Sequence, residues 1–213
     1  HPRDRRQRQM CIRDSLKTTN NDLILLSRKK LLCENSINQI VIDFENIDSL
    51  DASLKVDEIY IAIGQKLSLS ELVYIKKNNR KSFVNVDYNY IKKVAEFAKN
   101  CGANSVGLIS AIGANTKSLN TYLKVKGDVE QEIKLVGYKK IIIAHPSHLL
   151  GKRAGEDIPM NVKVFEQITN LFGLLMIGPL QKFRNVEAKK VAKAIISKMD
   201  SVEEGIHLSL IHI

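Results

Sequence analysis

Five short apolar runs, Leu23–Leu26, Ile40–Ile42, Glu58–Ile63, Val106–Ile109 and Lys140–Ala144, alternate along this chain with segments of helical rhythm. Runs of isoleucine, leucine and valine without a regular polar alternate are buried on both faces, which calls for a parallel sheet covered by helices on each side. Between the third and fourth runs, Asn85–Lys99 places Val86, Tyr90, Val94, Phe97 and Ala98 at helical spacing and stops at Asn100-Cys101-Gly102, a helix C-terminus signal. Leu119–Leu135 and Val186–Met199 supply two more amphipathic helices, the latter with Val191, Ala192, Ile195, Ile196 and Met199 on its inner side. The expected fold is α/β, a doubly wound parallel sheet.

Open sheets of this kind take ligands beyond the carboxyl ends of their strands. Those ends read Ser27-Arg28-Lys29-Lys30, Asp43-Phe44, Ala62-Ile63-Gly64-Gln65, Ser110 and His145-Pro146-Ser147-His148, and all five are expected to face one crevice. The set suits a dinucleotide. Arg28 and Lys29 would pair with a ribose phosphate where an acidic residue would grip a ribose diol, which favours NADP (NADPH) over NAD. Asp43 would accept from an adenine amino group with Phe44 near the ring. Gly64, after Ala62 and Ile63, lets backbone approach the cofactor, and Pro146, Ser147 and His148 would border the nicotinamide. The same residues also read as a solvated turn at Arg28–Lys30, a helix cap at Asp43 and an ordinary loop glycine at Gly64.

Chemistry enters with Ser110, Tyr122 and Lys126. The last two are four residues apart, so a helix puts phenol and ammonium on one face. A nearby cation favours phenolate and makes the phenol a usable proton donor or acceptor below its reference pKa of about 10. A Ser110 hydroxyl at a strand end would hold a carbonyl oxygen in line with that proton. The plain alternative is a solvated helix edge.

The chain has 213 residues, enough for one domain with a substantial core. Its longest apolar run, Leu171–Leu180, is half of the roughly 20 residues that cross a bilayer, so no membrane span is expected. Cys11, Cys33 and Cys101 are scattered, and the five histidines form no ligand pattern. These features point to a reduced, cytoplasmic protein without a metal site. The formal charge of +10 suits an anionic partner. Its lysines are dispersed without interleaved aromatics, however, which makes nucleic acid an improbable one. Residues 1–15 carry five arginines and no periodicity, and with 209–213 they resemble translated sequencing-adaptor read-through. The fold is therefore expected within 16–208.

Several segments together resemble the atypical short-chain dehydrogenase/reductase group. They are Leu26–Leu31, Asn38–Glu45, Ile61–Gly64, Phe83–Tyr88, Leu108–Ala114 and Tyr122–Glu130, with Tyr-x-x-x-Lys followed by Gly-x-Val-Glu the most specific. The resemblance implies a Rossmann-like sheet and an NAD(P)-dependent oxidoreductase acting on a small carbonyl or alcohol. Tyr122 would be proton donor and acceptor, Lys126 would bind the cofactor ribose, and Ser110 would orient the substrate carbonyl. It also implies an alternative, a non-catalytic NADPH-sensing protein with a protein partner. Members of the group begin with a strand, a glycine-rich turn and a helix that receive the pyrophosphate. No such glycine run occurs here, so a truncated domain lacking that first strand, turn and helix is expected, one that binds cofactor poorly or not at all and is inactive without the missing unit. Ala111 stands where relatives often have a second serine, and His145 where arginine commonly precedes the proline.

Overall fold

A computed structural model describes residues 22–30, 37–51, 53–65, 67–147, 149–150 and 186–209. Every one of the five apolar runs yields a strand. These are β1 (Ile24–Ser27), β2 (Asn38–Val41), β3 (Glu58–Ile61), β4 (Ser105–Ile109) and β5 (Lys140–Ala144). Two-residue strands β6 (Leu149–Leu150) and β7 (Val186–Glu187) pair with each other, and β8 (Gly205–Ser209) lies at the chain's end. The helices are α1 (Leu69–Val73), α2 (Lys77–Val84), α3 (Tyr90–Asn100), α4 (Thr121–Leu135) and α5 (Ala188–Ser201), with a 3-10 helix at Phe44–Ser49.

The main sheet has the order β3-β4-β5-β8 and is parallel throughout. Alternate residues of its central strands feed two different cores. Val106, Leu108, Ile141 and Ile143 pack with Ile91, Val94 and Ala95 of α3 and with Val129 and Ile133 of α4. Ile109, Ile142 and Ala144 pack on the other face with Val191, Ala192, Ile195 and Met199 of α5. Burial on both faces is why these strands carry no polar alternate.

The structure departs from the sequence expectation in four places. Strands β1 and β2 pair in parallel with each other but form a sheet of their own. A cavity of about 680 Å³ lies between this pair and the main sheet, lined on one side by Leu23–Leu26 and on the other by Leu54–Ile63. The five strand ends therefore do not share one continuous sheet edge, because an apolar run specifies a strand but not its neighbour. The second departure is the helix expected at Asn85–Lys99. It begins at Lys77 and runs to Asn100 through a five-residue π segment, Asn85–Asn89. Its first turns are polar (Lys77-Asn-Asn-Arg-Lys81), so periodicity does not reveal them. Gly102 ends the helix at φ 101°, a conformation that only glycine adopts without strain.

The third is α1, absent from the apolar pattern and built instead on a capping box between Ser68 and Glu71. The fourth is β8. Ser209, set aside with the tail, pairs with Ala144, and its carbonyl accepts from His145 N–H at 2.9 Å. Ile206 and Leu208 are exposed on this edge strand, so hydrophobicity there does not report a core.

Candidate active site

Helix α4 carries the site. Asn120 caps it, accepting from Leu123 N–H at 3.1 Å while its amide donates to the carbonyls of Leu72 and Val73 at 2.8 and 3.1 Å. From that start, Tyr122, Lys126 and Glu130 fall at i, i+4 and i+8 on one stripe. The helix sits tight against the loop after β4, because a Cβ on Gly127 would come within 2.5 Å of the Asn115 and Thr116 backbone. Glycine at this point of the motif is thus a packing requirement.

Each member of the stripe has a different partner. The half-buried Tyr122 ring lies 6.0 Å from that of Phe83, beside Ile75 and Val125. Lys126 is 1% exposed, and its ammonium lies 2.9 Å from Asp87 Oδ1. That contact is a close ion pair that engages one of the three Nζ donors, and no further acceptor for Nζ stands among the described residues. Asp87, 1% exposed, belongs to the π segment, and its Oδ2 accepts from Gln65 N–H at 2.5 Å. Single π turns recur at functional sites; this one turns a carboxylate toward α4.

Glu130, also buried, reaches the ends of β4 and β5. Ser110 Oγ–H donates to Glu130 Oε1, and His145 Nε2 lies 2.8 Å from the same oxygen. Backbone bonds fix the loops there. Ser110 N–H donates to Ala144 O at 2.9 Å, and Ile112 N–H donates to Pro146 O at 3.1 Å. The structure thus brings Ser110, Lys126 and the start of the β5 loop to one end of the main sheet. Ser110 is paired with Glu130 and Lys126 with Asp87.

The remaining candidates are distributed as follows. Arg28 and Lys29 are exposed in a turn after β1, with Ser27 Oγ–H donating to Lys29 O at 2.9 Å. Asp43 is the N-cap of the 3-10 helix, accepting from Glu45 N–H at 3.3 Å, the cap alternative left open by the sequence. Phe44 is buried with its ring 5.9 Å from Tyr90, and with Ala62 and Ile63 it borders the 680 Å³ cavity. Gly64 follows Ile63 as a buried residue. Pro146 is buried, Ser147 is half-buried and engaged, and His148 lies outside the described residues.

Sequence reasoning missed Asp87 and Glu130 and gave His145 no role. Glu130 was accessible in principle, because it stands one further turn along the Tyr122/Lys126 stripe. Asp87 meets Lys126 only through tertiary packing, 39 positions apart in the chain. No group of three or more histidine, cysteine or acidic residues among those described has the geometry to hold a metal.

Rat HTATIP2 is 31% identical over 134 residues, 61% of this chain and 52% of its own length. The protein named FMP52, mitochondrial, of Debaryomyces hansenii is 38% identical over 117 residues, 54% of this chain and 50% of its own. The chain spans about half the length of these curated relatives. No protein-family model matches it. Among solved structures, MoeE5 in complex with UDP-glucuronic acid and NAD superposes with a TM-score of 0.69 over 95% of this chain and 72% of its own, at 11% identity. A short chain dehydrogenase family protein from Francisella tularensis subsp. tularensis SCHU S4 gives 0.58 over 93% and 90%, at 13%. These likenesses establish the Rossmann-type fold.

The relatives also overturn the expected cytoplasmic location. FMP52 of Kluyveromyces lactis, Candida albicans and Debaryomyces hansenii is in each case named mitochondrial. Cellular address is read by receptors from short segments, so the thiols and surface charge of a folded body do not encode it.

Proposed function

We propose that this chain, an atypical short-chain dehydrogenase/reductase related to HTATIP2, forms the catalytic part of an NAD(P)-dependent oxidoreductase acting on a small carbonyl or alcohol. The observation that carries the reading is the Lys126 ammonium. It is buried, charge-paired with Asp87, and left with hydrogen-bond donors that no described group accepts. An unsatisfied buried donor is costly, and the two adjacent hydroxyls of a ribose would satisfy it. The donor set fits a nicotinamide nucleotide, which when bound supplies or removes the hydride.

The chain's own residues do the rest. Lys126 holds the ribose, one helical turn along α4 from Tyr122. Tyr122 gives a proton to the carbonyl oxygen in reduction and takes it back in oxidation. Ser110 holds the substrate oxygen. Ser110 Oγ–H donates to Glu130 and not to His145, so the three do not form the relay of a serine hydrolase. The exposed cations Arg28 and Lys29 favour NADP over NAD. The mitochondrial names of the FMP52 proteins make that compartment the proposed location.

Turnover of NADPH with a panel of aldehydes and ketones tests the reading. Tyr122→Phe is expected to lose more than about a hundredfold in kcat, the scale of general acid catalysis. Full activity in that variant overturns the assignment, and NADPH binding without reduction of any carbonyl favours the cofactor-sensing alternative.

A further inference from the structure

A single carboxylate oxygen here receives two donors, Ser110 Oγ–H and His145 Nε2 at 2.8 Å. Ser110 ends β4, His145 follows β5, and Glu130 comes from α4, so the carboxylate ties three elements together at the carboxyl end of the sheet. Glu130 is 6% exposed and Ser110 3%, and little water competes for either. A hydroxyl has one proton and two lone pairs. Once the Ser110 proton is committed to Glu130, any further group that meets Ser110 meets lone pairs.

We infer that Glu130 is a positioning residue that makes Ser110 a hydrogen-bond acceptor, and that the site recognises the O–H of an alcohol in preference to the C=O of the matching ketone. His145 fixes the carboxylate in place. The inference rests on Ser110 being the substrate-facing hydroxyl proposed above, and it adds the substrate form that the resting site selects.

Equilibrium binding tests it without turnover. Cyclohexanol and its ketone, cyclohexanone, are titrated into the wild type, Glu130→Gln, Glu130→Ala and Ser110→Ala, following the His145 ring resonances by NMR. The wild type is expected to bind the alcohol about fivefold more tightly, the factor that one hydrogen bond supplies. Glu130→Gln keeps one acceptor oxygen and retains the preference. Glu130→Ala frees the Ser110 proton to donate and abolishes or reverses it. Ser110→Ala also loses the preference with the Glu130–His145 contact intact, which decides the matter if Glu130→Ala does not fold. Equal affinity for both compounds in the wild type, binding of neither, or a preference that survives in Ser110→Ala overturns the inference. Alcohol preference without any NADPH-dependent turnover would uphold it while removing the oxidoreductase reading.

Discussion

Lys126 Nζ and Asp87 Oδ1 face each other at 2.9 Å with both side chains 2% exposed, joining the middle of α4 to the π segment between α2 and α3. A buried pair of this kind contributes little against a well-packed apolar pair, but one partner left alone is strongly unfavourable. Asp87→Ala is therefore expected to cost about 3–5 kcal/mol in urea unfolding. The double variant Asp87→Leu/Lys126→Met is expected to recover most of that loss. Equal losses in both would mean that shape, not charge, governs this contact.

Gly127 makes a second test. The space where its Cβ would stand is filled by the Asn115 and Thr116 backbone, with the nearest atoms at 2.5 Å. Backbone gives way less readily than a side-chain tip, so Gly127→Ala is expected to destabilise by about 1–3 kcal/mol despite the better helix propensity of alanine. A melting temperature unchanged or raised would refute the close approach.

Tyr138 ties the turn after α4 to α3, its hydroxyl donating to Ala95 O at 2.6 Å. Burial pushes the phenol above its ordinary range, followed by repulsion from Cys101. Tyr138→Phe removes only the oxygen, and an expected loss of about 1 kcal/mol follows from one neutral hydrogen bond. Denaturant midpoints at a constant slope would measure it.

Stability should also respond to Glu58. Burial raises its carboxyl above the ordinary 4.5, with repulsion from Asp200 adding to the effect. A raised pKa in the folded state means that the neutral form is favoured there. The contribution is fully present below pH 4.5 and is lost as pH rises through the folded value. Glu58→Gln mimics the neutral form. The variant and the wild type are expected to be equally stable below that pH, and the variant more stable at pH 7, by unfolding at both. A gap that narrows as pH rises would reverse the assignment.

Legibility varied with the range of the interaction. The five strands were readable because residues such as Ile141, Ile142 and Ile143 all meet apolar neighbours, and no local polar partner obscures the run. The polar opening of α2 and the edge strand β8 were not, since neither has a face defined by sequence period alone. Glu130 shared its stripe with Lys126 and so lay within helical arithmetic, whereas Asp87 did not.

By itself the sequence determined the α/β class, the order of strands β1 to β5 and the stripe along α4, because strand burial and the i, i+4 repeat are set by neighbours in the chain. Only the tertiary structure decided that β1 and β2 stand as a separate pair, that Lys126 is matched by Asp87, and that Ser110 and His145 converge on Glu130. Those contacts join segments up to dozens of residues apart. The free energy that selects them comes from packing and desolvation in the assembled core, not from any local preference of the chain.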